Sequence, residues 1–308
     1  MFNLIVRRLC GAAATFTLAT AIVFIAAFGL PGDPARVIAG RRQVPEETLR
    51  AIRLRYHLDE PLAEQYLRWL GGLLRGDLGQ SYASRRPVTD ILLDALPVTV
   101  KLVILTLVIE LAISATIGAL TSGRRGSRLD NGVLATCVLA LAVPTFVVGA
   151  VLQDLLGVRL KILPVAGISS TLSYVLPACT LAVAGYAIGT RLMRSQMLAN
   201  RNEFHVTTAR SKGLSESAIT RRHIMRNALV PFVAFVGLEI GTLASGSIVV
   251  ERIFNLPGVG GAVARAVSQR DNALIIGFTM AVIGVYLVID LLVDLVSLVL
   301  DPRLRDAT

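Results

Sequence analysis

Residues 98–120 read VTVKLVILTLVIELAISATIGAL, an apolar run in which Lys101 and Glu110 are the only charged side chains. A helix rises 1.5 Å per residue, and about 20 apolar residues cross roughly 30 Å of hydrocarbon, so this run predicts a membrane-spanning helix. Five more runs of that kind flank it, at about 9–30, 132–156, 174–193, 231–250 and 274–300. The composition agrees: of 308 residues, 54% are hydrophobic and only 17% charged. A soluble domain carries about 25% charged residues, so a soluble globular enzyme is excluded. The fold expected is all-α, a polytopic membrane protein with six transmembrane helices. Cys10, Cys137 and Cys179 each lie inside an apolar run, which offers no disulfide framework.

The run at 9–30 follows Arg7 and Arg8, as a signal peptide would, but it is too long for one and lacks a small-x-small cleavage site. It is read as an uncleaved span. Orientation follows from basic residues, which resist translocation. With both termini inside, the inner segments carry fifteen Lys and Arg, against five in the short outer loops 157–173 and 251–273. That predicts N-in and C-in. The expected organisation is a cytoplasmic N-terminus with the first span (1–30), a small external helical domain (31–97), a five-helix core (98–300) and a cytoplasmic tail (301–308). The external stretch balances ten Arg with nine acids. One helix is expected from Pro45-Glu46-Glu47, and a second from Pro61 with Leu62, Tyr66, Trp69, Leu70 and Leu73 along one face. That face suits the outer membrane surface, and equally suits packing on the tops of the spans.

Chemistry-bearing motifs are missing. Lys101, Lys161 and Lys212 are the only lysines and none follows a glycine, so there is no phosphate-cradling GxxxxGK(S/T) loop. His57, His205 and His223 show no metalloprotease spacing. Any energy for work has to come from another chain. The segment able to receive it lies in the inner loop 194–230, where residues 203–231 read EFHVTTARSKGLSESAITRRHIMRNALVP. Glu203 and Lys212 suit the two ends of one helix, Gly213 suits a left-handed stop, and Ser215 suits the cap of a second helix opening with Glu216. This helix, turn and helix form an elbow fit for docking on a cytoplasmic partner; a basic loop touching anionic lipid is the plainer reading.

The strings TARSKGL (208–214) and RNALVP (226–231) resemble the coupling motif of binding-protein-dependent ABC importer permeases of the dipeptide and oligopeptide branch. The broader family opens that motif with Glu-Ala-Ala; here Thr207, Thr208 and Ala209 take those places, with Gly213 in register. Further resemblances run along the chain: LPGDP (30–34), LDEPLAEQYLRWL (58–70), GDLGQS (76–81), LPVTV (96–100), VPTF (143–146), ERIFNLPGVG (251–260) and DPRL (301–304). The large first external loop matches the branch's first permease. The resemblance implies a type I importer permease fold. Its implied partners are a second, homologous permease, two ATP-binding-cassette ATPases that hold ATP and Mg, and an external solute-binding protein, all in a bacterial membrane. It implies peptides or related small solutes as cargo, no cofactor in this chain, and no enzymatic activity of its own. Thr208, Ala209, Lys212, Gly213, Leu214 and Ser215 would couple to the ATPase, with Ala209 and Leu214 filling its groove.

Other positions stand out on chemistry alone. Gly237, Gly241 and Ser245 form a small-residue ridge for helix packing or a pore face. Glu110, Asp154, Glu239, Asp290 and Asp294 are acids at or near membrane depth; Glu239 and Asp290 are expected on the translocation path, where they would meet a peptide's ammonium. Phe254, Pro257 and Gly258 are expected at an external gate or binding-protein contact. An ion-coupled secondary carrier using the buried acids is the alternative function. A membrane enzyme would need a polar catalytic cluster at one depth, and none is evident. The charge of +10 is accounted for by the inner loops and does not point to nucleic acid.

Overall fold

The computed structural model describes residues 2–28, 34–39 and 44–300, without the side chains of 2–8, 34, 37, 233, 289, 290 and 292–300. In chain order the helices are α1 (Phe2–Phe28), α2 (Pro34–Ala39), α3 (Glu46–Arg55), α4 (Leu62–Leu73), α5 (Val88–Ser122), α6 (Arg128–Ala142), α7 (Thr145–Leu152), α8 (Val175–Asn200), α9 (Phe204–Ser211), α10 (Glu216–Ile219), α11 (Met225–Ile253), α12 (Val259–Gln269) and α13 (Asn272–Leu300). Four stretches among the described residues are long and apolar enough to cross a membrane: Leu9–Phe28, Val88–Ser122, Thr171–Asn200 and Glu216–Ile253. The run expected as one span over 132–156 is broken. Its two halves, Arg128–Ala142 and Thr145–Arg159, meet at 104°, so the described residues hold four spans, or five if this bent pair is one. Val143 is extended there, and Pro144 brings a fixed φ of −58° and no amide to continue the ladder. The last run is one helix of 29 residues, Asn272–Leu300. The tail 301–308 lies outside the described residues.

The chain divides into two compact units, Met1–Thr99 with Pro257–Val288, and Val100–Leu256 with Ile289–Thr308. In the first, α4 packs its aromatic stripe on α1 instead of lying free. The Thr20 and Tyr66 hydroxyls are 2.7 Å apart, and the Phe24 ring meets those of Tyr66 and Trp69 at 5.4 and 6.1 Å. Burial of aromatic area on a span outweighs exposure at the surface, whereas Leu62 and Leu67 of the same helix stay exposed. Asp271 fastens this unit. Its carboxylate accepts from the Ser81 hydroxyl at 2.6 Å, the Ala83 amide at 3.0 Å and the Leu274 amide at 3.2 Å, so one buried side chain holds the 81–83 turn and caps α13. Val88, Val259, Ala262, Ala266 and Phe278 pack in the apolar core beneath.

In the second unit α8 lies against α6, α7 and α11. Its approach to α5 is close because side chains are absent where they would collide. A Cβ at Gly118 would sit 2.8 Å from Met193 Cβ and 2.9 Å from the Thr190 carbonyl; one at Gly189 would sit 2.7 Å from Ser114 Oγ; one at Gly185 would overlap the Glu110 carboxyl. Toward the elbow end, Arg194 of α8 donates two hydrogen bonds to Asp130 of α6, at 2.6 and 2.7 Å.

Candidate functional site

The elbow is built by local chemistry. Glu203 precedes α9 in extended conformation, without capping through its side chain. At the other end Lys212 closes the helix and Gly213 turns left-handed at φ 77°. The Gly213 amide then donates to the Arg210 carbonyl at 3.0 Å and the Leu214 amide to Ala209 at 3.3 Å. This is the paired helix stop that a glycine makes possible, since a Cβ at positive φ costs roughly 1–2 kcal/mol. Ser215 caps α10, its hydroxyl accepting from the Ala218 amide. Thr208 bonds back to Phe204 within α9 at 3.0 Å. Across the turn, Arg210 Nε donates to Glu216 Oε1 at 2.6 Å, and this guanidinium holds the Glu216 carboxyl below the usual carboxylate range.

What joins the elbow to the membrane is a single apolar cluster. It contains Met193 and Met197 of α8, Val206 and Ala209 of α9, Ile219 of α10, Ile224 of the π-helical turn 220–224, and Ala228, Phe232 and Phe235 of α11. Ala209 is therefore 5% exposed and packed inside this chain, so it does not reach outward into a partner's groove. Phe204, 91% exposed, and the exposed Leu214 are the apolar groups the elbow presents.

The other expected residues are not gathered into one site. Glu239 is 5% exposed and Glu110 is fully buried, with neither carboxyl oxygen of Glu110 meeting a hydrogen-bond partner among the described residues. Glu239 of α11 lies within electrostatic range of Glu110. Asp154 is exposed and paired with Arg159 at 2.7 Å. The side chains of Asp290 and Asp294 lie outside the described residues. Gly237 is buried, Gly241 half-buried and Ser245 exposed, its hydroxyl bonded to the Gly241 carbonyl. Phe254, 1% exposed, is a core residue of the second unit, in contact range of Gly149, and its carbonyl accepts from the Gly167 amide at 2.8 Å. It is no surface contact. Pro257 is exposed and Gly258 leads into α12 in the other unit. The sequence reading passed over Gly118, Gly185 and Gly189, although Gly185 and Gly189 form a GxxxG pair. Among the described residues no three metal-ligating side chains converge.

The fold is one that solved transporters share. It matches the inward-facing MetNI methionine ABC transporter with a TM-score of 0.58 at 16% identity, covering 68% of this chain and 96% of that one. A structure titled an amino acid ABC transporter with histidines matches with a TM-score of 0.55 at 17% identity, covering 68% and 94%. Residues 114–306 match the family described as "Binding-protein-dependent transport system inner membrane component", and residues 1–103 match the N-terminal part of such components. Among curated relatives, the glutathione transport system permease protein GsiC of Pectobacterium atrosepticum is 35% identical over 306 residues, 99% of both chains. The protein of the same name from Escherichia coli is 33% identical over 305 residues, again 99% of both. An all-helical membrane chain matched over residues 114–306 by a transport-component family is of the transport-permease class. The chain belongs to the family of binding-protein-dependent transport system inner membrane components. It is thus the multi-pass permease of a binding-protein-dependent ABC importer of the bacterial inner membrane, and such subunits carry neither ATPase activity nor a cofactor.

Proposed function

We propose that this chain is one of two homologous permeases, driven by two ATPases and supplied by an external binding protein, and that it imports glutathione or short peptides. The names of its relatives support that cargo. Six spans with both termini inside would put the elbow in the cytoplasm, the 31–97 segment and Pro257-Gly258 outside, and the core in the bilayer. The observation that carries the reading is the shared apolar cluster: α9 and α10 are packed into the same core as the ends of α8 and α11. A push on Phe204 and Leu214 would then move two spans as one body. Gly213 and Ser215 hold the turn, Lys212 and Thr208 line its outer face, and Ala209 anchors it from within. The test is Gly213→Pro in the assembled transporter. Proline fixes φ near −65° where the turn needs a positive value, so ATPase stimulation by the glutathione-loaded binding protein should be lost while the subunits still associate. Stimulation and uptake at wild-type levels would reject the elbow as the coupling element.

A further inference from the structure

Where α8 packs on α6, its surface carries an open cleft of about 580 Å³ lined by Leu134 of α6 and Ile188, Arg191, Leu192, Arg194 and Ser195 of α8. Its size falls in the ordinary range for small-molecule sites. The two arginines in it are in different electrical states. Arg194 is neutralised by the buried Asp130. Arg191, three residues earlier, is exposed and meets no acid and no hydrogen-bond partner among the described residues. Along α8 the lining runs from Ile188, 45% exposed, through Leu192 to Ser195, which is apolar toward the membrane and polar toward the helix end. A free guanidinium at the end of a span, next to an apolar wall, is the complement of a phosphate ester with a hydrocarbon tail. Arginine binds phosphate through two parallel N–H groups, and basic clefts between membrane helices suit anionic head groups.

We propose that this cleft binds an anionic phospholipid, the phosphate on Arg191 with Ser195 as a further donor, and the first acyl methylenes on Leu134, Ile188 and Leu192. A second basic concavity lies on the elbow side, lined by Arg221, Arg222, His223, Arg226 and Asn227. The lipid stabilises the α6–α8 pair from outside, where Asp130 and Arg194 stabilise it from within. The site rests on the membrane position of these helices, and only its leaflet depends on the cytoplasmic placement proposed above.

The experiment uses the intact transporter purified with its partner subunits. Native mass spectrometry after titration with phosphatidylglycerol should show a retained lipid, and phosphatidylcholine should be retained far less. Arg191→Gln should weaken phosphatidylglycerol binding about five- to tenfold, the effect of removing one cation at a lipid phosphate. Ile188→Trp, at an exposed position that tolerates bulk, should weaken it as well by filling the apolar wall. Equal retention of the two lipids, or unchanged binding in both variants, overturns the proposal. So does release of the companion permease by Arg191→Gln with lipid binding unaltered, which would make the cleft a protein interface. Because lipid retention is read without ATP, a failure here leaves the ATPase-stimulation test of the elbow standing, and the reverse also holds.

Discussion

Replacing Gly185 by Ala puts one methyl group where the Glu110 carboxyl already lies, in the fully buried contact between α5 and α8. Overpacking of a tight core costs about 1–3 kcal/mol. Alanine recovers up to about 1 kcal/mol of helix propensity and the carboxyl is the far end of a flexible side chain, so the net destabilisation expected is about 0–2 kcal/mol. The obstacle is a side chain, so it can be removed. Glu110→Ala opens the space and also removes two carboxyl oxygens that have no partner. The double variant should regain at least about 1 kcal/mol relative to the sum of the single changes, within the coupling range of contacting residues. The assay is reversible unfolding in mixed micelles for wild type, both single variants and the double. Gly118→Ala is the control, because its Cβ would meet the Thr190 carbonyl at 2.9 Å and the Arg194 amide at 3.1 Å, and no truncation at Glu110 relieves a backbone wall. If the double variant is additive to within about 0.5 kcal/mol, the stated α5–α8 contact is wrong.

Ser81→Ala should cost the first unit about 1–3 kcal/mol by removing a donor to the buried Asp271 carboxylate, and Asp271→Ala more, since it also uncaps α13; limited proteolysis of the 75–87 turn reads both. Asp130→Asn leaves Arg194 without its charge partner in a largely buried place and should destabilise the second unit by about 3 kcal/mol, as measured by unfolding, with Arg194→Leu in the same chain recovering part of the loss. The Glu216 carboxyl is held low by Arg210, and an acid with a lowered native pKa contributes above its unfolded value and loses that contribution as pH falls through the native one. Protection of residues 203–220 in hydrogen exchange, corrected for intrinsic rates, should therefore hold at neutral pH and fall only below about pH 4.3, and Glu216→Gln should abolish that dependence. High salt should weaken this exposed pair in the same assay.

The turn at Gly213 was legible in the sequence because it is made by near neighbours: a glycine at 213, a serine cap at 215 and an acid at 216 suffice to specify it. Run length likewise announced the apolar helices. What the linear pattern left open was which side of a helix meets which neighbour. The Gly237, Gly241 and Ser245 ridge drew notice, yet the close α5–α8 approach uses Gly118, Gly185 and Gly189, whose role depends on a helix more than 60 residues away. Ala209 and Phe254 look like contact residues beside their turns, and both are buried by distant elements of their own unit. The bend at Pro144 had a local cause in plain view, but hydropathy averaged over a window is blind to a single missing amide.

The Asp271 strap also sets an order of assembly. Its two sides are 190 residues apart in the chain, whereas the core around α8 and α11 is contained in residues 100–256. A nascent polypeptide emerging from the ribosome at about 5–20 residues per second can therefore pack residues 100–256 while Asp271 is still untranslated. The 81–83 turn must wait without its anchor until Asp271 and the last helix have been made. Defects in insertion of that helix would thus surface first as protease sensitivity far upstream, near Ser81.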